Sequence, residues 1–191
     1  MEEVEIETAV VTVRHARPTD AADIRAIGRQ AVPDTYRGIV DPVVLHNIVE
    51  QSYSIDALTD CIARCTKSPD AHFTVAEIDG SVVGFLHYDC AGPEPELHRI
   101  YVEPALKRKG IGTALVSELH SHLPAGWTYI LMVVAANLPA VSFYRRHGFA
   151  VEAEVDGPTY MSDHMGVIFP RGTKPAPALV MRFTKSTANR D

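Results

Sequence analysis

The stretch from Glu96 to Leu123, ELHRIYVEPALKRKGIGTALVSELHSHL, constrains the fold more than any other, because its periodicity changes once and a glycine loop sits at the change. ELHRIYV has the β-branched and aromatic content of a strand, and a turn at Glu103-Pro104 ends it. Beyond the loop, Ile111, Ala114, Leu115, Leu119, His122 and Leu123 recur at helical spacing and predict one apolar helix face. A strand handed directly to a helix is the unit of a layered α/β domain. The loop, Lys107 to Thr113, joins three cations to two glycines. Glycines let backbone N–H groups approach an anion, and a helix N-terminus carries partial positive charge, so a phosphate is the expected guest. Two common phosphate loops are excluded. No G-x-x-x-x-G-K followed by Ser or Thr occurs, and a G-x-G-x-x-G reading begun at Gly110 meets Leu115 where its last glycine should stand.

The flanking sequence extends this unit into a domain. Val10 to Arg17 alternates as a strand, and Thr19 or Asp20 is placed to cap a helix after it. A second helical region breaks near Tyr53, where Ser54 can cap IDALTDCIARC, with Ile55, Leu58, Ile62 and Cys65 on one face. HFTVAEIDGSVVGFLHYDC reads as a hairpin turning at Asp79-Gly80. WTYILMVVA is an apolar strand buried on both faces. NLPAVSFYRRHG is a helix with Asn137 as its cap, Pro139 in its first turn and Gly148 past its end. Two final strands, VEAEVDG and ALVMRFTK, enclose a long connection rich in Gly and Pro, which reads as a functional loop. Helices between strands imply an α/β (α+β) domain with a mixed central sheet flanked by helices. Residues 10–185 are expected to form it, between an acidic extension at 1–9 and a polar tail at 186–191.

Composition narrows the function classes. At 191 residues and 46% hydrophobic content the chain supports one core rather than two. A net charge of −6 argues against nucleic acid as the main partner. No apolar run is long enough for a membrane span, and the N-terminus lacks the pattern of a signal peptide. Three cysteines, Cys61, Cys65 and Cys90, have no disulfide rhythm, which favours the cytoplasm. Cys61 and Cys65 stand at i and i+4, yet no second pair or suitably spaced histidine completes a metal site in the sequence, and His120 and His122 diverge on their helix. No metal is expected.

Taken in order, IYVEPALKRKGIGTAL, Asn137 and AVSFYRRHGF resemble the GNAT superfamily of acyl-CoA-dependent N-acyltransferases, over about residues 73 to 151. The departure is Lys107, where the family usually has Gln or Arg. The resemblance implies a mixed, mostly antiparallel sheet and acetyl-CoA as co-substrate. It implies contacts to that molecule from Ile100, Tyr101, Val102, Lys107, Arg108, Lys109, Gly110, Ile111, Gly112, Thr113, Asn137, Ala140 and Tyr144. The acceptor would be a primary amine, most simply a small cationic amine or polyamine. A peptide N-terminus, a lysine or an antibiotic amine are alternatives, as is an acyl-CoA sensor without turnover. An alkyl ammonium has a pKa of about 10 and must lose a proton before it attacks a thioester. Relatives place a glutamate at Glu96 for this purpose. His98, on the same strand face by alternation, is a second candidate, and His87 a third. Tyr144 matches the acid that protonates the departing thiolate, and the Val102 N–H the donor to the thioester oxygen. Tyr36 and Tyr160, with Asp163 and His164, are expected on the acceptor side with Glu96. The partners are thus acetyl-CoA and an amine, without nucleic acid or membrane; a homodimer is left open.

Overall fold

The computed structural model describes residues 10–90, 94–174 and 176–187, without the side chain of Met165. The expected extension at 1–9 and most of the expected tail lie outside these residues. Among the described residues, seven strands form one sheet in the order β1-β2-β3-β4-β5-β7-β6, comprising β1 (Thr12–His15), β2 (His72–Ile78), β3 (Ser81–Asp89), β4 (Glu96–Val102), β5 (Thr128–Val134), β6 (Ala150–Asp156) and β7 (Pro177–Thr184). Only β4 and β5 run parallel; every other neighbouring pair is antiparallel.

Two large cores and a smaller cluster of Ile130, Tyr160 and Val180 cover the sheet among the described residues. Helices α1 (Ala21–Tyr36), α2 (Pro42–Ser52) and α3 (Ile55–Lys67) pack Ile24, Leu45, Leu58 and Ile62 against Phe73, Val75 and Phe85. On the opposite face, α4 (Ile111–His122) and α5 (Leu138–Arg146) pack Leu115, Leu119 and Val141 against Leu86, Tyr88 and Leu131. Each fully buried Leu or Ile contributes about 1.5–3 kcal/mol, so these interleaved layers dominate stability.

Local chemistry fixes the ends of the elements. Asp79 (φ 50) and Gly80 (φ 75) make the tight β2–β3 turn the sequence announces. Ser54 accepts from Ala57 N at 3.2 Å and restarts the helix broken at Tyr53. Gly28 lets that tyrosine lie on α1, since a Cβ there would stand 2.4 Å from the ring. Gly148 (φ 88) follows α5 as expected.

Three expectations are corrected. Asp20 does not cap α1 with its side chain; it turns back to accept from Arg17 N and Arg14, and Arg14 also binds Glu77. A strong ionic partner has outcompeted the cap. The long connection is not wholly a loop: α6 (Gly157–Met165) begins where Asp156 accepts from Thr159 N and Pro158 presets the first turn, and ends at Gly166 (φ 65). His122 lies exposed rather than on the buried face of α4, beside His15 and His72, whereas His120 stacks on Phe183 at 3.9 Å. Burial pushes His120 down to about 4, so it packs as a neutral ring.

Candidate active site

The site begins with a break in the sheet. Among the described residues, β4 and β5 pair at one position, Glu96 opposite Ile130. Beyond it the two parallel strands part. Glu103 N donates to Val83 O at 2.9 Å on the β3 side. Alternation therefore turns the Val102 N–H toward the gap.

The register of β3 and β4 then decides which side chains share a face. His87 faces Arg99 but Tyr88 faces Leu97, leaving His98 as one extra residue, a bulge. Strict alternation from Glu96 would gather 96, 98, 100 and 102. The bulge shifts the phase, so Glu96, His98, Arg99 and Tyr101 all line one cavity while Leu97, Ile100 and Val102 join the α4 core. That cavity, of about 110 Å³, has largely apolar walls from α1, α2, β5 and α6, including Val32, Tyr36, Ile48, Met132 and Met161.

Glu96 is 5% exposed, and burial raises its pKa above the usual carboxylate range, with His98, then Tyr160, opposing the shift. His98 Nδ1 lies 4.0 Å from Glu96 Oε2, and His98 Nε2 lies 3.2 Å from Asp89 Oδ1. The other Asp89 oxygen is 3.3 Å from His87 Nε2. His87 is thus behind His98, away from the cavity wall. Tyr160 is buried beside Glu96, its hydroxyl without a well-formed hydrogen bond, and its ring stacks on His164 at 4.0 Å. Asp163 is exposed and does not line the cavity.

Three tyrosines interact with one another. Tyr101 and Tyr36 interact through their hydroxyls, and Tyr144 feels both. Burial holds Tyr144 well above the ordinary phenol value, so it is protonated at neutral pH. Arg99 donates to Ser52 O at 2.8 Å and lies 5.2 Å from the Tyr53 ring centre, yet its buried Nε has no hydrogen-bond partner among the described residues.

On the α4 side, Arg108 (φ 65) and Gly110 (φ 83) take left-handed angles that bend the loop into the helix. Ala114 N bonds Gly110 O at 2.9 Å, which leaves the N–H groups of Ile111, Gly112 and Thr113 without intrahelical acceptors. Unpaired N–H groups at a helix N-terminus can receive an anion. Lys107 Nζ lies 2.8 Å from Asp34 Oδ2 of α1. Thr113 Oγ1 lies 3.2 Å from His147 Nε2. Asn137 caps α5 through Ala140 N at 3.3 Å, so its side-chain oxygen is engaged.

Sequence reasoning missed Arg99 and Asp89, and it missed the histidine beside the cysteine pair. His87, distant in sequence, lies with Cys61 and Cys65. No spacing rule signals a contact made by packing a helix on a strand.

The family described as acetyltransferase (GNAT) domain matches residues 69–151. The spermidine N(1)-acetyltransferase of Thermoplasma acidophilum is 26% identical over 155 residues, covering 80% of this chain and 96% of that protein. The L-amino acid N-acetyltransferase AaaT of Escherichia coli is 28% identical over 150 residues, 74% of this chain and 84% of the relative. The crystal structure of the PaiA N-acetyltransferase from Thermoplasma acidophilum in complex with coenzyme A shares the fold, with TM-score 0.72 and 23% identity over 92% of this chain and 99% of that one. The chain is thus similar to the acetyltransferases of the GNAT superfamily over residues 69–151, and it shares their fold. No described helix is long and apolar enough to cross a membrane.

Proposed function

We propose that the protein transfers the acetyl group of acetyl-CoA to a small primary amine with a slender aliphatic body, of the polyamine class, by direct attack on the thioester in the reducing cytoplasm. The observation that carries this reading is the buried Glu96 carboxylate at the fork of the sheet, inside a cavity whose other walls are mainly apolar. Methylenes suit those walls, and an ammonium suits the carboxylate.

In this reading the first-turn N–H groups of α4 and the loop hold the pyrophosphate, and the thioester enters the gap between β4 and β5. Glu96, directly or through His98, takes the ammonium proton. The neutral amine attacks the carbonyl carbon, and the Val102 N–H receives charge on the oxygen. When the intermediate collapses, the carbon–sulfur bond breaks and Tyr144 gives its proton to the leaving thiolate. Lys107 contributes by tethering the loop to α1 rather than by touching phosphate. The 26% identity to a spermidine acetyltransferase supports the acceptor class.

A second reading rests on Arg99. An arginine on the cavity wall with a buried Nε unpartnered among the described residues suits a carboxylate, which an amino-acid acceptor would bring. CoA release measured with spermidine, leucine, a basic peptide and an aminoglycoside separates these readings. Spermidine should exceed the peptide and the aminoglycoside at least tenfold in kcat/KM. Preference for leucine would place the Arg99 reading first, and preference for the peptide would overturn both.

A further inference from the structure

Behind the acyl-transfer site lies a cluster that the reaction does not use. Cys61 and Cys65 project from α3 toward β3, where His87 meets them, and one ligand atom from each falls within 4.8 Å of the others. All three are buried, at 4%, 7% and 4% exposure. The thiol of Cys61 is 3.4 Å from His87 Nε2 and 3.9 Å from Nδ1.

We propose that Cys61, Cys65 and His87 form a binding site for a thiophilic cation, Zn²⁺ or Cu⁺. Two thiolates and an imidazole are the ligands such ions select. Around Zn²⁺, bonds of about 2.3 Å to sulfur and about 2.0 Å to nitrogen put ligand atoms roughly 3.5–3.8 Å apart, so the cluster needs to contract by only about 1 Å. Cys61 Sγ lies nearer Nε2, at 3.4 Å, than Nδ1, at 3.9 Å, so a small rotation of the ring is needed to present Nδ1. Asp89 Oδ2, 3.3 Å from His87 Nε2, can accept that N–H and leave Nδ1 to the metal, an arrangement that recurs at histidine metal sites. Phe73, stacked on His87 with ring centres 5.0 Å apart, fixes the ring plane from one side, and His98 stands 4.9 Å away on another.

A disulfide is the competing use of two cysteines, and the helix opposes it. Side chains at i and i+4 have Cβ atoms about 5–6 Å apart. A disulfide needs roughly 3.5–4.5 Å, so closing one would unwind α3. Acetyl transfer in this superfamily needs no metal, so the ion acts as a clamp between α3 and β3. Because Asp89 also bonds His98, the clamp sits two side chains from Glu96.

The test uses the full chain purified under reducing conditions. Metal content is measured after growth with added zinc, Co²⁺ substitution is read by absorption, and Cu⁺ binding by competition with a chromogenic chelator. One ion per chain is expected, with a thiolate-to-cobalt charge-transfer band or competitive Cu⁺ retention. Cys65→Ser should weaken binding at least tenfold. Asp89→Asn should weaken it about 10–100-fold, the effect of an outer carboxylate. Cys90→Ser, outside the cluster, should leave it unchanged. Circular dichroism controls for folding, and wild type answers the question without any substitution. Folded wild-type protein that holds neither Zn²⁺ nor Cu⁺, or binding that survives the Cys61→Ser/Cys65→Ser double substitution, would overturn the proposal.

Discussion

Burying a carboxyl group beside His98 and Tyr160 sets two properties of Glu96 against each other. The raised pKa brings its base strength nearer to that needed for proton transfer at neutral pH, but an ionised carboxylate there costs folding energy. The native protein holds this proton more tightly than the unfolded chain does. The group's stabilising contribution is therefore full below the ordinary carboxylate pKa and is lost as pH climbs through the raised native value. Glu96→Gln should lower kcat by about 10²–10⁴-fold at neutral pH. The same variant should melt higher than wild type at neutral pH, and the difference should vanish below the carboxylate range. A kcat loss under threefold would move the role to His98 or water. Tyr144→Phe keeps the ring and its packing against Phe149 but deletes the hydroxyl. Stability should change by no more than one hydrogen bond, about 0.5–1.5 kcal/mol. Turnover should fall about tenfold to a thousandfold, because a thiol of pKa near 8.5 leaves only partly unaided. Equal kcat values in steady-state assays would return Tyr144 to a packing role.

At the scale of elements, β4 and the loop after it carry the site, and they were not equally legible. The change from strand to helix periodicity, the glycines and the cap at Asn137 all follow from local rules, and the structure keeps each of them. The bulge at His98 does not. Nothing in ELHRIYV marks a one-residue slip, since it arises from pairing with β3, and that slip alone brings Arg99 and Tyr101 beside Glu96. Helix α6 was legible in principle, from Asp156, Pro158 and Gly166, but the density of Gly and Pro around it outweighed those signals. The His87 contact with Cys61 and Cys65 was not, because it depends on how α3 docks. The loop yields its own prediction. A Cβ at Gly110 would meet no protein atom, but φ of 83 is strained for any other residue by about 1–3 kcal/mol. Gly110→Val should weaken acetyl-CoA binding at least tenfold by calorimetry, with the far-ultraviolet dichroism retained; unchanged affinity would remove the loop from the cofactor site.

Over the whole molecule, the sheet separates the core under α1 to α3 from the core under α4 and α5. In the proposed reading, helices α1, α2 and α6 wall the acceptor side, α4 and α5 frame the donor side, and the parted β4 and β5 join the two through the gap. Lys107 reaching Asp34 ties the donor loop to an acceptor helix. That division of labour, with Glu96 at the fork, is the central claim, and a protein that only sensed acyl-CoA would have no need of the acceptor half. The most direct test mixes the protein with acetyl-CoA carrying an isotopically labelled acetyl group and with spermidine, then follows free CoA and labelled acetylspermidine together by mass spectrometry. The account predicts that the two appear in equal amounts over many turnovers, and that both slow together in Glu96→Gln. Acetyl-CoA bound without labelled product from any amine tested, or product formed equally fast by Glu96→Gln, would contradict it.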